Sequence, residues 1–258
     1  MDDNGEPIIS MRGISKRFGG VTALQDVDLD VRAGEVLAIV GDNGAGKSTL
    51  IKILTGVYQP TAGEMTMNGA PLVMASHADA IEKGIDAVYQ TLALADHLTP
   101  AANMFLGNEL TKSILGFRYL DNARMRTEAE RVLKERLGVI LRSMDVPTDS
   151  LSGGQRQAVA IARAVYSTNL KVLVMDEPTA ALGPQETART LKLIEAVRDQ
   201  GIGVVVISHS LDDVFAISDR VQVMRRGRRV GVVKTADSTT KDVLGMIIGA
   251  NDAEGAAA

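Results

Sequence analysis

Apolar and polar positions divide the chain into stretches of different character. In LQDVDLDV, Leu24, Val27, Leu29 and Val31 mostly alternate with polar residues, the mark of a half-buried strand. Just downstream, EVLAIV is an unbroken apolar run, as a strand covered on both faces requires. IISMRGISKRF also reads as β, and GEMTMNGAPL carries Asn68-Gly69 between short β-like runs, a hairpin signal. KSTLIKILTG reads as a helix and GIDAVYQ as another short strand. From about Thr91 to Ala164 the character changes: the helical runs LDNARMRTEAERVLKERLG and QRQAVAIARAV dominate and strands are few. Strand and helix then alternate again through KVLVMDE, PQETARTLKLIEAVRDQG, GVVVISH and LDDVFAIS. RVQVMRRGRRVGVV reads as a hairpin turning at Gly227, TKDVLGMIIGA as a last short helix, and NDAEGAAA as a frayed, small-residue tail. Alternating βα units with buried strands predict an α/β fold, with a mainly parallel sheet and helices on both faces. The helical stretch reads as an inserted subdomain, and no internal repeat is evident.

Composition narrows the function classes. The chain has 258 residues, 45% of them hydrophobic, a net charge of -4 and no cysteine. It is long enough for a real core, and neither a disulfide-stapled secreted fold nor a thiolate metal site is open to it. The acidic start, MDDNGEPIIS, is no signal peptide. Runs such as VLAIV and VLVM fall far short of the roughly 20 residues of a membrane helix. The expectation is a soluble protein able to dock on something in a membrane. Its mild acidity speaks against general nucleic-acid affinity.

The strongest chemical signal is GDNGAGKST, comprising Gly41, Asp42, Asn43, Gly44, Ala45, Gly46, Lys47, Ser48 and Thr49. It matches G-x-x-x-x-G-K-[ST], follows a buried strand and opens a helix, as a phosphate-binding loop must. Glycines let backbone amides curl round phosphate oxygens, and the helix N-terminus adds partial positive charge. Lys47 can reach the β- and γ-phosphates of a nucleotide, and the Ser48 hydroxyl can ligate Mg²⁺. KVLVMDE places Asp176 and Glu177 at the end of a second buried strand, the end that faces the ligand crevice in a doubly wound sheet. Asp176 can hold Mg²⁺ through water, and Glu177 is a candidate general base for water attacking a γ-phosphate. His209 ends GVVVISH on the same rim and could bond the γ-phosphate or the attacking water. His77 and His97 lack such a position and receive no role.

LSGGQ, at Leu151–Gln155, poses a separate question, because two glycines sit where a helix starts although glycine is a poor helix former. Ser152 as N-cap with Gln155 three residues on satisfies a capping box, but that leaves both glycines unexplained. Ser152, Gly153 and Gly154 do make a side-chain-sparse helix N-terminus suited to an anion.

In this order, GDNGAGKST, LSGGQ, VLVMDE and ISH resemble the nucleotide-binding subunit of an ABC transporter, from about Ile8 to Gly249. The stretch SKRFGGVTALQDVDLDVRAGEVLAIVGDNGAGKSTLIKILTGVYQPTAGE is similar to the ATPases of bacterial monosaccharide importers of the ribose, xylose and fructose type. The resemblance implies a phosphate-loop NTPase core (8–90 and 165–249), an N-terminal antiparallel β-subdomain, a helical insert (about 91–164) and a flexible tail (250–258). It implies ATP hydrolysis with Mg²⁺, catalysed through Glu177, His209 and Lys47. Phe18 matches the aromatic that stacks on adenine, though it could simply be strand packing. Gln90 matches the glutamine that approaches Mg²⁺, beside Ser48 and Asp176, and couples nucleotide state to the insert, where a membrane partner would dock. Ser152, Gly153, Gly154 and Gln155 would serve the ATP of a second copy, in a head-to-tail homodimer. Membrane permease subunits and, indirectly, an external solute-binding protein follow as partners, with the chain peripheral on the cytoplasmic face of the membrane.

Two departures from the family stand out. Where the family usually reads Ser-Ala-Leu-Asp, this chain has Ala180-Ala181-Leu182-Gly183, which puts communication between paired sites in doubt. Many relatives fuse two cassettes in one chain; this chain has one, hence the homodimer. The alternatives are a soluble ABC-type ATPase acting on nucleic acid or ribosomes, and a regulatory module that holds ATP without hydrolysing it. Neither tandem cassettes nor long coiled coils support the first, and Glu177 with His209 counts against the second. Arg225, Arg226, Arg228 and Arg229 have no interleaved aromatic and read as a solvated hairpin rather than a nucleic-acid patch.

Overall fold

A computed structural model describes residues 6–114, 117–180 and 182–250. Its elements in chain order are β1 (Ile9–Phe18), β2 (Val21–Val31), β3 (Val36–Val40), α1 (Lys47–Leu54), β4 (Ala62–Met67), β5 (Ala70–Pro71), α2 (His77–Glu82) and β6 (Ile85–Val88). Next come α3 (Pro100–Met104), β7 (Thr111–Ile114), β8 (Phe117–Leu120), α4 (Asn122–Arg131), α5 (Gly153–Val165) and β9 (Val172–Asp176). The chain continues with α6 (Pro184–Arg198), β10 (Gly203–Ile207), α7 (Leu211–Ile217), β11 (Arg220–Arg225), β12 (Arg228–Lys234) and α8 (Thr240–Ile248).

The central sheet runs β12-β11-β3-β10-β9-β6. All its pairs are parallel except β11 with β12, the hairpin at the edge. Every residue of β3 and β10 is buried, which is why their sequences are unbroken apolar runs. Parallel register aligns the strand ends: Ile39 lies beside Ile207, and Ile207 beside Asp176. The segments leaving β3, β9 and β10 therefore emerge side by side at the carboxyl edge, where open α/β sheets bind ligands.

A second, antiparallel sheet runs β2-β1-β4-β5. Leu24, Val27, Leu29 and Val31 of β2 are fully buried, in a core shared with Leu50, Ile51, Ile53 and Leu54 of α1. The step of three from Leu24 to Val27 interrupts the twofold alternation because Asp26 adopts a φ of 53° and the β1–β2 register shifts there. Helix α1 is thus clasped between the two sheets.

Between β6 and β9, α3, α4 and α5 pack as a helical unit around Met104, Phe105, Met125, Ala129, Leu133 and Ile161. Three features here differ from the sequence expectation. The predicted run LDNARMRTEAERVLKERLG is α-helical only to Arg131 and continues as a π turn over Val132–Arg136. A short helix, α3, opens at Thr99 with Pro100 in its first turn. A hairpin, β7–β8, stands between α3 and α4, with Phe117 70% and Tyr119 51% exposed. Neither strand alternates apolar and polar residues toward a buried face, so the pattern gives no β signal. The predicted tail falls, from residue 251 on, outside the described residues. Among the described residues no helix is long and apolar enough to cross a membrane.

Candidate functional site

The loop from Gly41 to Gly46 leaves β3 and enters α1. Gly41 has a φ of 147°, and a Cβ there would lie 2.1 Å from the Met224 carbonyl oxygen, so only glycine fits against β11. The β11–β12 turn braces the loop from outside: the Gly227 amide donates to the Ala45 carbonyl at 3.0 Å, and the Gln25 amide donates to the Gly227 carbonyl at 2.8 Å. The glycine in RRGRR marks the turn in sequence, but not its place against the phosphate loop. Lys47 is buried, and its Nζ donates to the carbonyls of Gly41 at 2.6 Å and Asp42 at 3.0 Å. Burial pulls its pKa down, against the opposing charges of Glu177, Asp42 and Asp176. The first amides of α1 have no partners within the helix and point into the loop's hollow, ready for an anion.

A cavity of about 380 Å³ joins these parts. Phe18 and Val21, the loop from Asn43 through Ser48 and Thr49, and Glu177 and His209 all line it. Phe18, 43% exposed at the end of β1, meets Tyr58 edge to face at 5.3 Å and 71°, and the Lys16 ammonium lies 5.1 Å from its ring centre. The sequence gives no signal for Tyr58, because contact between β1 and the segment after α1 leaves no local pattern.

Glu177 leaves β9 with a φ of 51°, and its amide donates to the Ile207 carbonyl at 2.9 Å. That turn swings its carboxylate to 2.6 Å from His209 Nε2. Asp176 ends β9; burial and then the Glu177 charge raise its pKa, against Lys52, Lys47 and His209. Gln90 follows β6, exposed. It is not among the residues lining the phosphate cavity; its neighbours Tyr89 and Thr91 instead line a larger groove of about 560 Å³ between β6 and the helical insert. His77, given no role from sequence, also lines that groove, with Nδ1 2.9 Å from the Thr55 carbonyl.

Ser152 caps α5, and the capping box is complete: the Gln155 amide donates to Ser152 Oγ at 3.4 Å, and the Ser152 amide to Gln155 Oε1 at 3.0 Å. A Cβ on Gly153 would come 2.9 Å from Leu182 Cδ2, the end of a flexible side chain that can give way, so this close approach favours glycine without requiring it. At Gly154 the nearest atom would be 3.8 Å away, in Glu186, so packing does not demand glycine there. None of Ser152, Gly153, Gly154 and Gln155 lines the phosphate cavity of its own chain. Gly183 is the N-cap of α6 and contributes no side-chain cap; Ala181 lies outside the described residues. Of the arginines, Arg229 pairs with Asp28 at 3.2 Å across to β2.

The comparisons with known proteins agree with this geometry. The family model described as ABC transporter matches residues 24–180. The chain is 45% identical over 250 residues to the fructose import ATP-binding protein FrcA of Rhizobium meliloti, covering 96% of each. It is 42% identical over 246 residues to the ribose import ATP-binding protein RbsA of Yersinia pestis, covering 95% of this chain but 47% of that one. A nucleotide-free ATP-binding cassette of an ABC transporter superposes with a TM-score of 0.77 at 28% identity, covering 93% of this chain and 95% of that one. A cassette solved as a dimer after hydrolysis, bound to ADP and Pi, superposes with a TM-score of 0.71 at 26% identity, covering 88% and 98%. With its phosphate loop, the carboxylate and imidazole at the neighbouring strand ends and this match along most of its length, the chain belongs to the ABC transporter family, as one of its ATP-hydrolysing, ATP-binding chains.

Proposed function

We propose that residues 8–249 form the single ATPase unit of a monosaccharide importer, working as a head-to-tail pair on the cytoplasmic face of a membrane. The observation that carries the catalytic assignment is the Glu177–His209 contact of 2.6 Å in the lining of the phosphate-loop cavity. The names of the fructose and ribose import relatives support the substrate class.

The triphosphate lies along the loop Gly41–Thr49, where α1 amides and Lys47 take its oxygens and the ammonium exchanges the Gly41 carbonyl for phosphate. Phe18, held edge-on by Tyr58, stacks on the adenine. Among the described residues no three His, Cys, Asp or Glu side chains gather to hold a metal alone. Ser48 and Asp176 would offer oxygen donors to Mg²⁺, which keeps waters and shares substrate phosphates, and Gln90, outside the phosphate cavity, would have to turn in from the neighbouring groove to join them. When bound, it supplies positive charge to the phosphate oxygens. Glu177 orients a water and accepts its proton as the water oxygen bonds to the γ-phosphorus and the bond to the ADP oxygen breaks. His209 holds the Glu177 carboxylate in place and faces the departing phosphate. Ser152, Gly153, Gly154 and Gln155 of the second copy close over the γ-phosphate, so hydrolysis releases the pair. The groove beside Gln90 receives the membrane permease, which takes solute from an external binding protein.

The test is Glu177→Gln. It should cut turnover at least about a hundredfold while keeping ATP binding, and should trap a dimer on size exclusion with ATP. Turnover at the wild-type rate would remove Glu177 as the base.

A further inference from the structure

Ser or Thr caps α2, α5, α7 and α8, each with a residue three positions on that can complete a capping box: Asp79, Gln155, Asp213 and Asp242. In α2 the Asp79 carboxylate stays local, accepting from the Ala75 amide and the Ser76 hydroxyl. The box closes in α5 and α8. In α7 only half of it forms. The Asp213 amide donates to Ser210 Oγ at 3.3 Å, but the Asp213 carboxylate does not return to the Ser210 amide, which donates to Ser208 Oγ at 3.1 Å instead. The Asp213 Oδ2 accepts a hydrogen bond from Thr179 Oγ1 at 2.8 Å.

Both ends of that bond are next to the reacting groups. Thr179 lies two residues after Glu177, and Ser210 directly follows His209. The Glu177 turn is closed on itself by the Ala180 amide donating to the Glu177 carbonyl at 3.1 Å, and it is tied to β10 by the Glu177 amide. Glu177 holds a φ of 51°, a conformation its surroundings must enforce. The His209 side chain is 47% exposed, so packing does not hold its ring.

We infer that Thr179 and Asp213 are positioning residues for ATP hydrolysis: their hydrogen bond fixes the Glu177 turn to the His209 loop and keeps carboxylate and imidazole in register. The inference rests on the catalytic reading of Glu177 and His209 above. The α7 carboxylate leaves its own cap for a tertiary bond spanning the two strand ends, whereas the Asp79 and Asp242 carboxylates stay at their own helix starts.

The test uses Thr179→Val, which keeps shape and removes the donor, Thr179→Ser, which keeps the donor, and Asp213→Ala, which removes the acceptor. Thr179→Val and Asp213→Ala should each lower kcat for ATP hydrolysis by between about tenfold and a hundredfold. KM and ATP affinity should stay within about twofold, since the phosphate loop is untouched. Thr179→Ser should return kcat close to wild type. In a Glu177→Gln background Thr179→Val should cost nothing further, because both act through one group. Wild-type kcat in both single variants would overturn the inference. So would parallel loss of kcat, affinity and melting temperature, a serine variant as impaired as valine, or an undiminished effect in the Glu177→Gln background. If Glu177→Gln itself turns over normally, the base assignment fails first; if it is dead while Thr179→Val is normal, only the clamp fails.

Discussion

Glu177 is a non-glycine residue in the left-handed region, a conformation costing on the order of 1–3 kcal/mol unless its surroundings enforce it. Here the enforcement is legible: the β10 carbonyl takes its amide and His209 takes its carboxylate. The aspartate beside the larger groove shows a different single-residue balance. Burial holds the Asp86 carboxyl above its ordinary value of 3.8, against the pull of the Ala87 amide, His77 and Arg163. The folded chain therefore keeps this proton to higher pH than the unfolded chain. Stability falls as pH rises from 3.8 through the raised native value. Asp86→Asn removes that fall. Its melting temperature should exceed wild type at neutral pH, and the gap should close as pH is lowered below 3.8. A constant gap across that range would contradict the burial account.

At the scale of elements, the helical insert holds two phenylalanines in opposite circumstances. Phe105 is 1% exposed and meets Tyr166 edge to face at 4.7 Å. Phe117, on the β7–β8 hairpin, is 70% exposed. Truncating the first opens a cavity in the unit that carries α5 and its capping box, while truncating the second removes little burial. Phe105→Ala should cost about 3–5 kcal/mol in urea unfolding, and Phe117→Ser should stay within about 0.5 kcal/mol of wild type. Equal losses would mean that the hairpin packs as part of the core. The same contrast explains what the pattern predicted well. Strands such as β3 and β10, and helices with one buried face such as α5, write their burial into sequence. A surface hairpin and the α-to-π transition after Arg131 do not, because neither depends on a periodic apolar face.

For the whole molecule, the LSGGQ residues do not line the phosphate cavity of their own chain, and the pairing proposal joins the two motifs between two copies. Ser152→Asp keeps a good N-cap while placing negative charge where the partner's γ-phosphate would sit. Lys47→Ala removes the loop's cation. Each variant alone should be nearly inactive. Mixed in equal amounts and allowed to exchange, they form heterodimers with one intact composite site. Activity should then recover to about a quarter of wild type, the share expected for random pairing of independent sites. No recovery on mixing, with exchange verified by differently tagged copies, would mean that the two motifs do not act on the same nucleotide.

The sequence by itself determined the parallel sheet and the helix after the phosphate loop, and it named the candidate chemical residues, because these are written in local spacing: apolar runs, a glycine pattern, carboxylates at strand ends. It could propose that Gly41–Thr49, Glu177 and His209 belong together, since parallel strands bring their carboxyl ends to one edge. Only the tertiary structure decided that Glu177 and His209 touch, that Tyr58 stands against Phe18 and that Gly227 braces Ala45. It also decided that Leu182 crowds Gly153 and that Asp213 leaves its own helix cap for Thr179. Each of these joins segments far apart along the chain or diverts a bond that local rules would have closed. Such contacts are set by how layers pack, and the order of residues along a single strand or helix carries no record of that packing.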